Sequence, residues 1–175
     1  MDINVDNWTD LSNRKVGVVL QTKTTYKLET QTISGTTSYV PIMQVSITPR
    51  YANSKILVLV KASLSPSNGT HYTCQLKRGG TLIAAGDSGG SLTQSCMHAS
   101  YGLSSFNTAG YEPRSNNGHW LDSPNTTNPI IYSYLVGTVH STGYSVGVNY
   151  NIHDDNGSNW NYRTTSTLTV MEIAQ

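Results

Sequence analysis

The segment Gly86-Asp87-Ser88-Gly89-Gly90 has the residue types of a catalytic serine loop. In enzymes that use such a loop, the serine attacks a carbonyl carbon and the flanking backbone N–H groups stabilise the oxyanion. The serine also needs a histidine base oriented by a carboxylate, and in proteases with this signature both come earlier in the chain. His71 is the only histidine before Ser88, and no aspartate lies between His71 and Asp87. We therefore expect a glycine-rich loop after a hairpin strand, no catalytic residue, and a protein that is not an enzyme.

A second segment with possible chemistry is His153-Asp154-Asp155-Asn156-Gly157, which has part of the pattern of a calcium loop. An EF-hand loop needs oxygen ligands at alternating positions and a glutamate at its twelfth position. Ile152 stands at the first position of such a loop and Arg163 at the twelfth, so we predict a hairpin turn instead. A calcium site assembled from several loops stays open. No histidine has the spacing to Cys or Glu that is typical of zinc sites, so we expect no metal and no cofactor.

Aromatic residues near polar turn residues form the third group of candidates. An exposed ring beside Asn or Asp is typical of sugar-binding sites, because the ring packs on the sugar face while polar groups bind its hydroxyls. The alternative is that these rings pack against the protein's own core or a neighbouring subunit. The candidate residues for binding a glycan or another partner are Tyr111, Trp120, Trp160 and Tyr162.

The two cysteines, Cys74 and Cys96, are predicted to be buried thiols in strands. A disulfide between them requires adjacent strands and suitable geometry, which a sequence cannot establish, so that alternative stays open.

The elements that must position these residues are strands. Apolar residues alternate over residues 45–47, which predicts a strand with one buried face, and residues 56–60 are apolar on both faces, which predicts a strand buried between layers. Gly79-Gly80 predicts a two-residue hairpin between residues 71–78 and 81–85. Residues 102–118 are predicted to be a long irregular stretch. About ten short strands and no helix predict an all-β, antiparallel two-sheet sandwich, most closely a jelly roll, over residues 16–175.

Composition excludes several classes of partner. Only 12% of the 175 residues are charged, the net charge is +1, and no cluster of Lys and Arg exceeds two residues. We therefore expect no nucleic-acid binding. The apolar runs are far shorter than a membrane span, so we expect no membrane insertion. The acidic N-terminus lacks the basic start and apolar run of a signal peptide, so export by the ordinary secretory route is not indicated.

Residues 1–15 are polar with scattered apolar positions. We predict an N-terminal anchoring arm that becomes ordered on a partner surface, and the alternative is a disordered tail. The residues predicted to bind the partner are Ile3, Val5, Trp8 and Leu11.

The order of several short motifs carries a family resemblance. Val45-Ser46-Ile47-Thr48-Pro49 is followed by Ser54-Lys55-Ile56-Leu57-Val58, and further motifs lie at residues 35–40, 76–81, 86–87, 121–124, 126–127 and 163–172. In this order they resemble a β-rich virion module of tailed bacteriophages of aquatic bacteria, over residue 16 to the C-terminus. The resemblance implies a non-enzymatic structural protein that forms a homotrimer and belongs to a virion assembled in the host bacterial cytoplasm.

Two roles on such a particle compete. A fibre needs a shaft of coiled coil, β-helix or collagen-like repeats, and the arm is too short to form one. A compact domain with a short arm fits a capsid decoration protein, or cement protein, that clamps the major capsid protein. The alternative is a tail-fibre tip or baseplate adhesin, which binds tail or baseplate proteins and attaches to a host cell-surface glycan.

Overall fold

The structure is a computed structural model that describes residues 17–35, 38–67, 70–90, 93–96, 99–101, 113–139, 143–152 and 161–175. These residues contain eleven strands and no helix. The strands are β1 (Val19–Lys27), β2 (Gln31–Ser34), β3 (Val40–Ile47), β4 (Lys55–Pro66), β5 (His71–Arg78), β6 (Thr81–Ile83), β7 (Ala99–Tyr101), β8 (Arg114–Asp122), β9 (Ile130–Thr138), β10 (Ser145–Val148) and β11 (Ser166–Ile173).

The larger sheet is organised around β4. One edge of β4 pairs with β8 in antiparallel register from Ile56–Asp122 to Leu64–Arg114. The other edge pairs first with β11 and then, further along, with β10. Strands β1 and β2 follow each other in the same way on the outside of β11 and β10. The sheet is therefore four strands wide, and two of its positions are each occupied by two strands in series.

The smaller sheet has the order β3-β9-β5, with β6 and β7 side by side in series on the free edge of β5. All pairings are antiparallel. The predicted hairpin between β5 and β6 is confirmed, with Gly79 and Gly80 at φ values of 53° and 98°. These positive values fit the two-residue turn that joins strands of right-handed twist.

The core lies between the two sheets, which confirms the two-sheet antiparallel sandwich. Alternate residues of β4, among them Ile56 and Val58, are completely buried and face the other layer. The smaller sheet contributes large aromatic side chains, Tyr132 and Tyr134 of β9, which are also completely buried. The finer prediction of a jelly roll stays a prediction.

Buried polar groups on β8 connect the layers. Asp122 is only 6% exposed, and Arg78 of β5 donates to both of its carboxylate oxygens at 3.0 and 2.9 Å. The Tyr132 hydroxyl donates to the same carboxylate at 2.7 Å. Further along β8, the Tyr72 hydroxyl donates to the Asn116 side-chain oxygen at 3.2 Å. These bonds satisfy polar groups that would otherwise be costly to bury, because an unpaired buried polar group loses its hydration.

The outer face of β4 is more exposed than predicted. Leu57 and Leu59 point away from the smaller sheet and remain partly exposed, so the expectation of a strand buried on both faces is wrong. The reason is that the sandwich has two layers, and the smaller sheet covers only one face of β4.

One strand boundary also differs from the prediction. Strand β8 begins at Arg114, so the predicted irregular stretch is wrong for residues 114–118, while residues 102–112 lie outside the described residues. Asn and Gly are poor strand formers, but pairing with β4 overrides that preference. Strand β3 runs through Pro41, where the register shifts. Proline is tolerated because β3 is an edge strand of its sheet.

Both cysteines are buried free thiols. The backbone N–H of Cys96 donates to the Cys74 carbonyl at 2.8 Å, which holds the two segments together. Burial raises the pKa of each thiol to about 12. The prediction of two buried thiols is therefore confirmed, although only Cys74 lies in a described strand.

Candidate binding cleft on the larger sheet

The chain leaves the larger sheet after β10 and returns to it at the start of β11. Asn149 stands at the exit with a φ of 64°, and it is completely buried. Its side-chain oxygen accepts a bond of 2.6 Å from the hydroxyl of Ser166, the first residue of β11. The Ser166 oxygen in turn accepts from the backbone N–H of Ser63 at 3.0 Å. The exit and return points are therefore fixed to each other and to β4.

The same asparagine closes the gap between β1 and β2. Its side-chain nitrogen donates to the carbonyl oxygens of Lys27 at 2.8 Å and Glu29 at 3.1 Å. The backbone adds two further bonds, from the Asn149 N–H to the Ser63 carbonyl at 3.0 Å and from the Thr164 N–H to the Asn149 carbonyl at 2.9 Å. One residue thus joins the three neighbouring positions of the sheet at the level where two of them are interrupted.

Beyond the exit, Tyr150 lies over the outside of β10. A Cβ atom placed on Gly147 would lie only 2.9 Å from the Tyr150 ring, so the ring sits directly on this glycine. The Tyr150 and Thr32 hydroxyls are hydrogen-bonded at 2.6 Å. The guanidinium of Arg163 lies over the Tyr150 ring, 5.5 Å from its centroid, and the two residues also form a backbone bridge. Both ends of the excursion are therefore packed against the sheet, which limits the positions that Arg163 can adopt.

The returning segment forms one wall of an open cleft on the outer face of β4 and β8. The cleft consists of two adjoining cavities of about 320 and 410 Å³, and both include Pro113, Arg163 and Thr164. Such volumes fall within the usual range of ligand pockets, roughly 300–1,000 Å³. The described lining residues are Lys61, Ser63, Pro113, Ser115, Tyr162, Arg163, Thr164 and Thr165.

The described lining of the cleft is polar and includes two cationic side chains. Lys61 from β4 and Arg163 from the returning segment supply two positive charges, and the described lining residues include no acidic side chain. Ser63 and Ser115, which are directly paired between β4 and β8, add hydroxyls. The Thr164 hydroxyl oxygen is buried and has no hydrogen-bond partner among the described residues. The described lining fits a polar, hydroxylated ligand better than an apolar one.

The structure places two of the predicted aromatic residues, and it does not bring them together. Tyr162 lines the cleft with its side chain 54% exposed. Trp120 lies in β8 and not in a loop, paired directly with the inward-facing Val58. Directly paired residues of an antiparallel sheet point to the same face, so Trp120 lies on the opposite face from the cleft and is 42% exposed at the sheet edge.

Other predicted site residues lie outside the described residues. They are Tyr111 and Trp160, the four arm residues Ile3, Val5, Trp8 and Leu11, and the acidic turn at residues 153–157.

The glycine-rich segment that contains Ser88 forms hydrogen bonds within itself and to the segment around Ser95. The Ser88 backbone N–H donates to its neighbour, the Asp87 carboxylate, at 2.8 Å, and both residues are exposed. The Gly86 N–H donates to the Ser95 carbonyl at 3.1 Å. Asp87 therefore organises its own loop here.

Within the described residues, no group of three or more His, Cys, Asp or Glu side chains is placed to hold a metal ion. No helix in the same part of the chain is long and apolar enough to cross a membrane.

The cationic residues of the cleft were not among the predicted site residues. Lys61 and Ser63 follow Leu57 and Leu59 on the outer face of β4, so the sequence does change from apolar to polar along that face. This change from apolar to polar residues is visible in the sequence and could have indicated a polar site at this end of β4. The approach of Arg163 depends on the excursion after Asn149, which no spacing in the sequence reveals.

Comparison with known proteins finds no family model that matches the chain and no curated protein with significant similarity to it.

Proposed function

We propose that the protein is a non-enzymatic structural protein of a tailed-phage virion, located on the particle surface as a homotrimeric capsid decoration protein. In this proposal residues 1–15 bind the major capsid protein through Ile3, Val5, Trp8 and Leu11. The motif order in the sequence supports the virion assignment. One structural observation, a partly exposed apolar stripe, supports an assembly role.

The outer stripe consists of Leu57, Leu59, Leu121 and Met171 on the outer face of the larger sheet. Leu57 pairs with Met171 of β11 on one side and with Leu121 of β8 on the other, so the three side chains lie in a row. Leu121 is 52% exposed, and the other three are partly exposed. Contiguous exposed apolar side chains are typical of surfaces that bind another protein, because burying them there removes them from water.

We assign the outer stripe to contact with a second copy of the chain in the trimer. The stripe is bordered along β4 by Lys55 and Lys61, which gives it an apolar centre and a polar rim, the usual anatomy of a protein interface. The arm begins at the same end of the sheet, because the Gly17 N–H donates to the Ala174 carbonyl at 2.7 Å, just beyond the end of β11. A copy packed on the stripe would leave the arm at the perimeter, where it can reach the capsid.

The oligomeric state tests the assembly role. The double variant Leu57→Ser with Leu121→Ser is expected to convert a trimer into monomers in light scattering at micromolar concentration. Ile131→Ser is the matched control, because Ile131 is similarly exposed, at 49%, but lies on the smaller sheet. A monomeric wild-type protein, or a double variant that stays trimeric, would rule out this interface.

Deletion of residues 2–14 tests the arm. The truncated protein is expected to keep the fold and the trimer but to load onto particles lacking the protein at much lower occupancy than the full chain. Full occupancy after the deletion would mean that the arm is not the anchor. Labelling the protein on intact particles separates the two virion roles, because a decoration protein covers the head and an adhesin lies at the tail.

The second candidate function is a tail-fibre tip or baseplate adhesin that binds a host glycan. The cleft favours it, because an exposed Tyr162 beside hydroxyl groups is suited to sugar binding. Particles without the protein should then adsorb poorly to the host. Normal adsorption, together with no binding on a glycan array, would exclude this function.

A further inference from the structure

We propose that Cys74 and Cys96 form a redox site, which an external disulfide such as oxidised glutathione converts into an intramolecular disulfide that locks the outer edge of β5. The chain contains two cysteines, so an intramolecular disulfide can form only between these residues. The inference goes beyond the proposed function, and the chemistry of the purified protein tests it independently of any virion.

The position of the two residues on the edge of β5 is the first argument. Residues 71–73 of β5 pair with β7 and residues 76–78 pair with β6, so Cys74 lies in the gap between the two edge strands. The Cys96 N–H donates to the Cys74 carbonyl at 2.8 Å, which brings the two backbones to the separation of neighbouring strands. In antiparallel strands, residues joined by such a bond have Cα atoms about 5.5 Å apart, within the range of about 4.4–6.8 Å that a disulfide requires.

The direction of the two side chains is the second argument. Cys74 stands between Tyr72 and Leu76 in the alternation of β5, and all three side chains are completely buried. Cys96 is also completely buried and belongs to the same cluster of core side chains. Burial raises the pKa of the Tyr134 hydroxyl, and the neighbouring Cys74 and Cys96 thiols raise it further. Both thiols therefore lie near the same tyrosine.

Ser95 holds the segment before Cys96 against β5. Its hydroxyl accepts from the Cys74 N–H at 3.1 Å and donates to the Cys74 carbonyl at 3.1 Å, so this side chain takes the place of a strand backbone in the gap. The Ser95 carbonyl accepts from the Gly86 N–H at 3.1 Å, and the Gln94 side-chain nitrogen donates to the Gly86 carbonyl at 2.8 Å. A covalent bond at Cys96 therefore also secures the glycine-rich segment that these bonds attach to it.

The reaction is a thiol–disulfide exchange in two steps. The Cys96 thiol loses its proton to solvent, and the thiolate attacks one sulfur of oxidised glutathione, which breaks the glutathione disulfide and releases one glutathione thiolate. The Cys74 thiolate, formed in the same way, then attacks the Cys96 sulfur and releases the second glutathione thiolate. The released thiolates take up protons, so two protein thiols are oxidised to one disulfide while one oxidised glutathione is reduced to two thiols.

Burial controls the rate of this exchange. It raises the pKa of both thiols from an ordinary value of 9.0 to about 12, which lowers the thiolate fraction at neutral pH roughly a thousandfold. Cys96 reacts first because its segment lies at the sheet edge, whereas Cys74 lies between that segment and β9. Since the segment must open before it reacts, oxidation is slow in the folded protein and rapid in the unfolded chain.

The consequence of oxidation is a more stable sheet edge. Cys74 and Cys96 are 22 positions apart, so a bond between them restricts the unfolded chain and thereby stabilises the fold. Disulfides form and persist outside a reducing cytoplasm. The timing of the reaction rests on the proposed function, since a virion protein is reduced during assembly and oxidised after release.

Incubation of the folded, reduced protein with oxidised glutathione at about pH 8, continued until the reaction stops, tests the proposal. Mass spectrometry with maleimide labelling should show that both thiols are lost, that the chain is lighter by two hydrogen atoms, and that no glutathione is retained. The midpoint of thermal unfolding should rise by roughly 5–10 °C, and dithiothreitol should reverse both changes. The same reaction in an unfolding concentration of urea should be at least about a hundredfold faster.

Cys74→Ala and Cys96→Ala are the control variants, because each keeps one thiol and cannot form the bond. Oxidised glutathione should not raise the unfolding midpoint of either variant. Their midpoints without oxidant measure the loss of a core side chain, separately from the loss of the disulfide. The principal measurement uses the wild-type chain and does not depend on the stability of the variants.

Three outcomes would overturn the proposal. They are retention of both thiols at the end of the incubation, formation of disulfides between chains or with glutathione in place of the intramolecular bond, and an intramolecular disulfide that leaves the unfolding midpoint unchanged or lowers it. The last result would mean that the folded structure does not accommodate the bond. None of them would change the trimer or the loading of particles, so the virion role is judged separately.

Discussion

The side-chain oxygen of Asn149 accepts a 2.6 Å hydrogen bond from the Ser166 hydroxyl, and this bond joins the two points where the chain leaves and re-enters the larger sheet. The described residues between them, 150–152 and 161–165, therefore form the two ends of an excursion from a single interrupted strand position. The cleft exists because of this excursion, since Tyr162, Arg163, Thr164 and Thr165 all belong to its returning half.

Two substitutions of Asn149 distinguish the contribution of its side-chain hydrogen bonds to stability from that of its backbone conformation. Asn149→Gly keeps a residue that tolerates the φ of 64° but removes three side-chain hydrogen bonds, so we expect a loss of about 2–4 kcal/mol in the free energy of unfolding. Asn149→Ala should lose about 1 kcal/mol more, because a Cβ-bearing side chain without a local hydrogen bond is strained in the left-handed region. Urea denaturation measures both. If the alanine variant is as stable as the glycine variant, backbone strain at this position is not important.

Gly147→Ala tests the packing that supports Arg163. The new Cβ would lie 2.9 Å from the Tyr150 ring and 3.1 Å from its carbonyl oxygen, so the tyrosine has to move and its 2.6 Å bond to Thr32 is lost. We expect a destabilisation of about 1–3 kcal/mol. Tyr150→Phe is the comparison, because it removes the Thr32 bond but keeps the ring beneath Arg163, and it should cost only about 1 kcal/mol. Thermal unfolding compares the two, and equal stability of Gly147→Ala and wild type would contradict the close packing.

The regular part of the fold could be predicted from alternation in the sequence. Residues 45–47 and 56–60 lie in β3 and β4, as predicted, because one face of each strand is buried in a core that needs apolar side chains. Strand β8 was missed because Asn116, Asn117 and Gly118 have little preference for strands. What makes them a strand is their pairing with β4, a contact between residues more than fifty positions apart.

The cleft could be predicted only in part. Tyr162 was a candidate because an aromatic ring beside polar turn residues is visible in the sequence. Strand β10 ends at Val148 because Asn149 turns out of the sheet. Asparagine tolerates this conformation better than most residues, but the sequence does not say which asparagine adopts it. Lys61 and Arg163, 102 residues apart in the sequence, are brought together only by that turn.

Glu172 makes stability depend on pH. Its side chain is completely buried at the end of β11, where it accepts hydrogen bonds from Gln21 at 2.6 Å and from the backbone N–H of Arg50 at 2.7 Å and Tyr51 at 3.3 Å. Burial alone would raise the pKa of this carboxyl, but these bonds outweigh it and hold the pKa below its ordinary value. The carboxylate thereby fixes the turn between β3 and β4.

A folded-state pKa below the unfolded one stabilises the protein at pH values above the unfolded pKa, near 4.5, and the contribution is lost as pH falls through the folded pKa. Glu172→Gln is therefore expected to lower the free energy of unfolding by about 1.5–3 kcal/mol at pH 7, with a difference from wild type that shrinks below about pH 4. Glu29→Gln, at an exposed position, is the control and should change little. Urea denaturation at pH 7, 5 and 3.5 measures the dependence. A difference between Glu172→Gln and wild type that is the same at all three pH values would mean that the charge of Glu172 does not stabilise the turn.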